Sequence, residues 1–200
     1  METKDALRAR LIAARRALSE ADRARASDAI AARLVALEAF RSARAVGLYA
    51  PLGAEVDTAA IARAAEAAGK RVAWPRLAPS DRAMAFALCP PDALRPGPAR
   101  ALEPPAAAPA CPIAEVDLVV VPGVAFDAEG RRLGRGRGHY DATLRSLRPG
   151  AACVGLAFEA QLVPALPEEP HDARVDAVVT EARIVFPLTR RPGGGIPSRP

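Results

Sequence analysis

Lysine, cysteine and aromatic residues are all scarce in this chain of 200 residues. Lys4 and Lys70 are the only lysines among 28 basic residues, so the other 26 are arginine. The cysteines are odd in number and far apart, which excludes a disulfide framework and fits a reducing compartment; they are Cys89, Cys111 and Cys153. No apolar run approaches the length of a membrane span, and the charged first residues exclude a secretory signal peptide. We therefore expect a cytoplasmic protein that does not enter a membrane.

Half of the residues are hydrophobic, with alanine the commonest of them, so a chain of this length can bury one core. We predict a single domain over residues 1–189. Residues 190–200 contain three consecutive glycines with proline on both sides, and we predict that this tail is disordered. The net charge of +5 suits an anionic ligand. Scattered arginine also serves solubility, so charge alone is weak evidence for nucleic-acid binding.

Apolar, strand-like segments alternate with helical patterns along most of the chain. Helices are predicted over residues 3–18, from the Ser19 cap to about Phe40, over 58–68 and from Tyr140 or Asp141 to about Leu147. The apolar face of the first helix is predicted to comprise Leu7, Leu11, Ala14 and Leu18. Strands are predicted at Val46–Ala50, Arg71–Pro75, Met84–Leu88, Leu118–Val121, Ala152–Leu156 and Val175–Thr180, with an edge piece at Ile184–Phe186 and a long ordered loop over 89–113. This alternation predicts an α/β fold with a mostly parallel sheet flanked by helices.

The segment from Gly130 to Asp141 concentrates glycine and arginine, with four of each in twelve residues. Glycines let backbone N–H groups curl around an anion, and guanidinium groups match phosphate oxygens. Asp141 is the only acid in this run, so it can hold a divalent metal ion against a phosphate. We predict a polyphosphate-binding loop with Mg²⁺. The spacing fits neither a Walker A loop nor a dinucleotide fingerprint.

Two simpler interpretations of the same segment are a disordered RNA-contacting tail and a hairpin turn made by its glycines. The apolar strand Leu118–Val121 before it and the helix-forming residues after it favour an ordered loop over a disordered one.

Three charged residues elsewhere in the chain also suit a ligand site. Lys4 and Arg8 are four residues apart, so they project from the same side of the first helix. Glu55 lies just beyond the carboxyl end of a predicted strand, where open α/β sheets bind ligands. Taken singly, each of the three is better explained as ordinary surface charge.

Taken in order, these residues resemble the 5-formyltetrahydrofolate cyclo-ligase family, also called methenyltetrahydrofolate synthetase. The resemblance runs from Lys4 to Thr180. It rests on Lys4-x₃-Arg8, Tyr49-x₅-Glu55-Val-Asp57-Thr58, Val121-Pro-Gly-x-x-Phe-Asp127, Gly130-x-Arg132-Leu-Gly-Arg-Gly-x-Gly-x-Tyr140-Asp141, Gln161 and His171-Asp172-x₃-Asp176. The chain departs from the family at His139, where many members have a second aromatic residue.

The resemblance implies a three-layer α/β fold of the NagB/RpiA/CoA-transferase-like kind, with an N-terminal helical pair. It implies an enzyme that couples cleavage of ATP to closure of 5-formyltetrahydrofolate into 5,10-methenyltetrahydrofolate, with release of ADP and phosphate. Mg²⁺ is then the cofactor and ATP a co-substrate. The implied partners are these small molecules, without nucleic acid, and the implied state is a monomer.

The resemblance also implies roles for individual residues. The implied catalytic residues are Arg135, Arg137 and Asp141. The implied ATP-binding residues are Lys4, Arg8, Arg132, Leu133, Gly134, Arg135, Gly136, Arg137, Gly138, His139 and Tyr140. The implied folate-binding residues are Ala50, Glu55, Arg135, Gly136, Arg137, Gly138 and His139. The implied Mg²⁺ ligands are Asp141 and Asp172. Trp74 is expected either to pack in the core or to add a wall to the pterin pocket.

Two competing functions are consistent with parts of the sequence. A non-catalytic RNA-binding member of the same fold would use the arginine-rich loop and the basic charge. Against it, Tyr140 is the only aromatic residue interleaved with those arginines for base stacking. A phosphosugar-handling enzyme on a similar α/β scaffold is the other hypothesis.

Overall fold

The computed structural model describes residues 3–77, 82–97, 101–188 and 193–195. The helices in these ranges are α1 (Lys4–Ala17), α2 (Glu20–Ala36), α3 (Glu38–Ser42), α4 (Ala59–Ala67) and α5 (His139–Leu144). The strands are β1 (Ala45–Gly47), β2 (Arg71–Arg76), β3 (Ala85–Leu88), β4 (Arg95–Pro96), β5 (Leu102–Glu103), β6 (Leu118–Pro122), β7 (Ala125–Phe126), β8 (Arg132–Leu133), β9 (Ala152–Leu156), β10 (Ala177–Val179) and β11 (Ile184–Val185). None of the helices described has the length and apolar character that crossing a membrane requires.

Seven of the described strands form one sheet in the order β11-β10-β9-β6-β1-β2-β3. The neighbours from β10 to β2 pair in parallel, whereas the two edge strands, β11 and β3, are antiparallel. The predicted mostly parallel sheet flanked by helices is therefore confirmed. The sequence pattern had not indicated that Met84–Leu88 would return antiparallel, because a single strand carries no signal of its direction.

Strand β6 lies in the middle of the sheet and is buried on both faces. Leu118 and Val120 pack on one side with residues of α2 and α4. Val119 and Val121 pack on the opposite side, where α5 covers the sheet. Successive side chains of a strand point to opposite faces, so a strand covered on both sides must be apolar throughout. This explains the continuous Leu-Val-Val-Val run.

Helix α1 crosses the outside of the small hairpin formed by β7 and β8. Its buried residues are Leu7, Leu11 and Arg15, and the two leucines pack with Val124, Ala125 and Leu133. The prediction that Ala14 belongs to the buried face is wrong, since Ala14 is exposed. Residues four apart share one face of a helix, and the buried stripe continues from Leu11 to a charged residue.

Two other boundaries differ from the prediction. The second helix ends at Ala36 because Leu37 takes an extended conformation, with φ −66° and ψ 141°, and α3 starts after it. Residues 89–113 are not a plain loop, since β4 and β5 pair there as a short hairpin. The predicted tail over 190–200 lies outside the described residues except for 193–195, where the Gly193 carbonyl accepts a hydrogen bond from the Gly150 amide at 2.8 Å.

Candidate active site

A cavity of about 540 Å³ opens beyond the carboxyl ends of the parallel strands β1 and β6. Parts of the chain that are far apart in sequence meet there, because the turns that follow parallel strands lie along one edge of the sheet. The predicted binding residues that line the cavity are Lys4, Arg8, Ala50, Glu55, Arg132, Leu133, Gly134, Arg135, Gly136, Arg137, Gly138, His139, Tyr140, Asp141 and Asp172. The structure thus brings the whole predicted set to one place, while the role of each residue stays a prediction.

The Gly/Arg loop comprises residues 134–138, between the end of β8 and the start of α5. Gly136 and Gly138 have positive φ angles of 90° and 68°, and Gly138 is the residue that caps α5. Residues with a Cβ are strained in this region, so the sharp path of the loop depends on glycine here. The loop exposes Arg135 and Arg137, which places two guanidinium groups at the mouth of the cavity.

Arg132 occupies a different position from the exposed arginines of the loop. Its side chain is only 3% exposed, and Nη2 lies 2.6 Å from Oδ1 of Asp141. The guanidinium also lies 5.5 Å from the centroid of the Tyr140 ring, within the range of a cation–π contact. Asp141 Oδ1 accepts a second hydrogen bond from the Ala173 amide at 3.2 Å. These contacts fix Asp141 beside the backbone of Asp172.

Helix α1 delivers two cations to the cavity. Lys4 Nζ lies 3.0 Å from Asp172 Oδ2 and 3.1 Å from Glu169 Oε1. Arg8 Nε donates to the Gly134 carbonyl at 3.0 Å. Burial alone would lower the pKa of Lys4, but the hydrogen bonds and charges of Asp172 and Glu169 outweigh it, so this pKa is raised. Lys4 is therefore a fixed positive charge at any physiological pH.

Glu55 lines the cavity in contact with the Gly/Arg loop, and its side chain is 7% exposed. Oε1 accepts hydrogen bonds from Arg135 Nε at 3.0 Å and Arg135 Nη2 at 2.8 Å. Oε2 accepts from the Leu52 amide at 2.9 Å. A carboxylate has acceptor oxygens only, so its chemistry suits a ligand with adjacent N–H donors.

Two tyrosines, Tyr49 and Tyr140, line the cavity together with this carboxylate. Tyr49 is buried, and its hydroxyl donates to the Val56 carbonyl at 3.0 Å. Burial, followed by the negative charge of Glu55, raises the pKa of Tyr49 and the pKa of Tyr140 above their ordinary value. Both phenols are therefore neutral groups that can donate a hydrogen bond.

One wall of the cavity was not found by sequence reasoning. It comes from the end of β2 and from the chain around β3 and β5, and it comprises Pro75, Leu77, Arg82, Met84, Ala101, Leu102 and Glu103. Glu103 is buried, and its Oε1 accepts a hydrogen bond from the Leu77 amide at 3.3 Å. Leu102 and Glu103 belong to the β4–β5 hairpin, and they reach the cavity through tertiary contacts between distant parts of the chain. Such contacts leave no motif in the sequence, so no motif indicated these two residues.

Trp74 and His139, which the sequence analysis singled out, have different surroundings in the structure. Trp74 is 2% exposed, packs in the core and donates from Nε1 to the Cys89 carbonyl at 3.0 Å. Its role is therefore core packing, and Pro75 beside it lines the cavity instead. His139 Nδ1 lies 2.9 Å from the Arg82 carbonyl oxygen. A carbonyl oxygen can only accept a hydrogen bond, so Nδ1 carries the proton. His139 thus connects the start of α5 to the cavity wall that contains Arg82.

The acidic residues at one end of the cavity fit a magnesium ion by their chemistry. Asp141 and Asp172 both line the cavity and supply carboxylate oxygens, the ligand type that Mg²⁺ takes, and Asp141 Oδ1 accepts a hydrogen bond from the amide of Ala173, the residue after Asp172. Glu169, His171 and Asp172 also have potential ligand atoms within 4.8 Å of one another. The His171 nitrogen suits Mg²⁺ less than the oxygens do.

Comparison with known proteins identifies relatives of this chain. The sequence model of the 5-formyltetrahydrofolate cyclo-ligase family matches residues 1–181. The 5-formyltetrahydrofolate cyclo-ligase of Mycolicibacterium smegmatis is 34% identical over 192 residues, which cover 93% of this chain and 97% of that protein. The protein of the same name from Mus musculus is 30% identical over 196 residues, covering 89% of this chain and 93% of the relative.

A solved structure shares the fold as well as the sequence. The NMR structure of Aquifex aeolicus 5,10-methenyltetrahydrofolate synthetase superposes with a TM-score of 0.82 at 31% identity, and the match covers 94% of each chain. The family match, the relatives and this structure extend over nearly the whole length. The chain therefore belongs to the 5-formyltetrahydrofolate cyclo-ligase family of enzymes.

Proposed function

We propose that this protein couples cleavage of ATP to the cyclisation of 5-formyltetrahydrofolate, giving 5,10-methenyltetrahydrofolate, ADP and phosphate. The observation that carries the proposal is the contact between Arg135 and Glu55. This contact joins the loop suited to phosphates with the carboxylate suited to a pterin, so the two candidate binding regions form one continuous site. A reaction between a nucleotide and a folate requires such an arrangement.

The cationic side of the cavity would bind the triphosphate. Lys4 and Arg8 approach from α1, while Arg135 and Arg137 lie on the Gly/Arg loop. Arg8 already contacts the backbone of that loop at Gly134, so a ligand between helix and loop meets donors from both. Phosphoryl transfer needs alignment and charge neutralisation more than a protein nucleophile, and this set of cations supplies both.

The bond changes follow two steps. The formyl oxygen of the folate attacks the γ-phosphorus, the β,γ-bridging bond breaks and ADP leaves. The N10 lone pair then attacks the activated formyl carbon. The carbon–oxygen bond breaks, phosphate leaves with the N10 proton, and the methenyl bridge between N5 and N10 remains. Arg135 and Arg137 would stabilise the negative charge that develops on the transferred phosphoryl group and on the departing phosphate.

Asp141 and Asp172 would hold Mg²⁺ beside the phosphates. When bound, the ion neutralises phosphate charge and aligns the γ-phosphoryl group. The protein's own contribution is to hold both carboxylates in place. Arg132 and the Ala173 amide fix Asp141, and Lys4 and the Glu169 amide fix Asp172.

The other end of the cavity would bind the pterin. Glu55 and Ala50 line this end, and the carboxylate matches the paired N–H donors of the pterin ring. The apolar side chains of Leu77 and Leu102 lie on the wall that the β2 and β5 segments add. That wall suits the aromatic portion of a folate, since an apolar cavity wall favours a flat apolar group.

The test is direct formation of product. Purified protein with 5-formyltetrahydrofolate and Mg-ATP should generate the near-ultraviolet absorbance of the methenyl product, and omission of ATP or chelation of Mg²⁺ should abolish it. Absence of ATP-dependent product would overturn the proposal, and salt-sensitive RNA binding by the same preparation would favour the RNA-binding alternative.

A matched pair of variants ties the activity to this cavity. Arg135→Ala should lower kcat/KM at least 100-fold because it removes a charged contact from the transferred group. Arg63→Ala, an exposed arginine of α4, should leave kcat/KM unchanged. Equal effects of the two substitutions on kcat/KM would show that the activity does not depend on the Gly/Arg loop.

A further inference from the structure

Glu103 is a buried carboxylate in the cavity wall formed beyond the end of β2. The residue is 7% exposed, and it lines the same cavity as Glu55. Among the described residues, it accepts a single hydrogen bond, from the Leu77 amide to Oε1 at 3.3 Å. A carboxylate has about four acceptor sites, and burying one without further donors carries a desolvation cost. Glu103 is therefore a cavity acceptor with most of its hydrogen-bonding capacity free for a ligand.

The backbone around Glu103 holds its side chain in one position. The Gly97 amide donates to the Ala101 carbonyl at 2.7 Å within the β4–β5 hairpin. A Cβ built on Gly97 would lie 2.7 Å from Cδ of Glu103, closer than real Cβ atoms approach, so only glycine leaves room for the carboxyl group there. The Leu77 amide restrains the same group from the β2 side. Two backbone segments thus orient the carboxylate.

The sheet order separates Glu103 from the side of the cavity that suits phosphates. Strands β6, β1 and β2 are neighbours in that order, and the turns that follow parallel strands lie along one edge of the sheet. The chain after β6 leads through the β7–β8 hairpin into the Gly/Arg loop, and the chain after β1 carries Glu55. Leu77, which contacts Glu103, follows β2. The order along the cavity is therefore phosphate loop, Glu55 and Glu103.

A reduced pterin ring has a donor that matches this order. In the proposed reaction, the formyl group on N5 faces the phosphates, while the 2-amino group and N3–H face Glu55. N8 lies across the ring from N5, so it points away from the phosphates and towards the wall that contains Glu103. In tetrahydro- and 7,8-dihydropterins N8 carries a hydrogen atom, whereas in a fully oxidised pterin it carries a lone pair that a carboxylate repels.

We propose that Glu103 accepts a hydrogen bond from N8–H of the folate and makes the site selective for reduced pterin rings over the fully oxidised ring. This inference rests on the proposed function, because it uses the folate orientation that Glu55 and the phosphates define. Glu55 binds donors that both oxidation states possess, whereas Glu103 binds the donor that oxidation removes. An oxidised ring leaves the buried carboxylate without its partner, which lowers the affinity for that ring.

Binding of 7,8-dihydrofolate and of folic acid by the wild-type protein tests this selectivity directly. The two molecules differ only by reduction of the bond between C7 and N8, which adds N8–H, and neither carries a formyl group. Their Kd values, measured by calorimetry, should differ by at least about tenfold in favour of dihydrofolate. This measurement needs no variant, so it does not depend on how a substitution affects folding.

Glu103→Gln should remove the preference. With its oxygen on the Leu77 amide, the glutamine presents Nε2 donors to the ring, and these match a lone pair better than N8–H. The ratio of the two Kd values should fall below about threefold or reverse, and the Kd for 5-formyltetrahydrofolate should rise about tenfold while the KM for ATP changes less than about twofold. Glu66→Gln, at an exposed position of α4, should behave as the wild type, and thermal melting checks folding.

The outcomes discriminate between the explanations. Equal affinity of the wild type for dihydrofolate and folic acid, or an unchanged ratio in folded Glu103→Gln protein, would overturn the role of Glu103. A rise confined to the KM for ATP would also overturn it and assign Glu103 to the nucleotide base. So would a wild type that binds 5-formyltetrahydrofolate but not dihydrofolate, since both present N8–H.

The test of Glu103 is separate from the test of the reaction. The Kd values judge Glu103 even if the wild type makes no product, an outcome that would remove only the proposed reaction. A wild type that binds no folate would overturn both.

Discussion

Glu55 Oε1 accepts two hydrogen bonds from Arg135, although the two residues are 80 positions apart in the chain. Glu55 Oε2 is held by the backbone amide of Leu52, three residues earlier. The hydrogen bond from Leu52 can persist while another donor replaces Arg135. A pterin that binds this carboxylate must therefore compete with Arg135, and a nucleotide that attracts Arg135 would relieve that competition.

Glu55→Gln should weaken folate binding selectively. A hydrogen bond to a charged group contributes about 1.5–3 kcal/mol, so the KM for 5-formyltetrahydrofolate should rise about 10- to 100-fold while the KM for ATP changes little. Steady-state kinetics with each substrate varied in turn provide the measurement. Glu66→Gln, at an exposed position of α4, is the control. A change confined to the KM for ATP would assign Glu55 to the nucleotide end of the cavity and contradict the prediction.

Asp141→Asn should raise the Mg²⁺ concentration needed for half-maximal activity by at least about tenfold, since it removes a charged ligand oxygen. The amide oxygen can still accept from Arg132 and Ala173, which limits structural damage. Activity is measured against Mg²⁺ at saturating ATP, with thermal melting as the folding check. The matched control is Asp28→Asn on α2. An unaltered Mg²⁺ dependence would remove Asp141 from the metal site.

Arg8→Ala should raise the KM for ATP about tenfold, because it removes a cation from the phosphate end and frees the Gly134 carbonyl. The exposed Arg16 on the same helix serves as the control, and Arg16→Ala should leave both KM values unchanged. If only the folate KM responds to Arg8→Ala, Arg8 belongs to the other end of the cavity.

Glu168 should stabilise the fold in a pH-dependent way. Hydrogen bonds from Arg174 lower its pKa most, burial opposes them, Arg131 adds to them, and the result is a shift from 4.5 to about 2. Because this pKa is depressed in the folded state, the stabilisation is complete above about pH 4.5 and is lost as the pH falls towards 2. Glu168→Gln should therefore lower the free energy of unfolding by about 1 kcal/mol at pH 7, after allowance for solvent screening.

Urea unfolding at pH 7 and pH 3 measures this effect, and the difference between wild type and Glu168→Gln should shrink at the lower pH. Glu115→Gln tests an exposed pair with Arg71 and should cost less than about 0.5 kcal/mol at either pH. A Glu168→Gln deficit as large at pH 3 as at pH 7 would contradict the depressed pKa.

Features carried by local patterns were predictable. The run at Leu118–Val121 indicated a buried central strand, and the structure places β6 there with both faces covered. The glycines of the Gly/Arg loop indicated a sharp path, and Gly136 and Gly138 have positive φ. The first helix was located correctly, but its buried face was misjudged: Ala14 was predicted to belong to that face, whereas the structure exposes Ala14 and buries Arg15. A tertiary environment can bury a charge that local pattern places outside.

By itself, the sequence determined the class of fold, since strand and helix periodicity are properties of neighbouring residues, and its resemblance to a known family supplied the candidate binding residues. Only the tertiary structure decided that Arg135 contacts Glu55, that Arg15 is buried, and that Leu102 and Glu103 line the cavity. Those relationships join residues from separate elements. They depend on how the sheet order and the edge hairpins bring distant segments together, which no local pattern specifies.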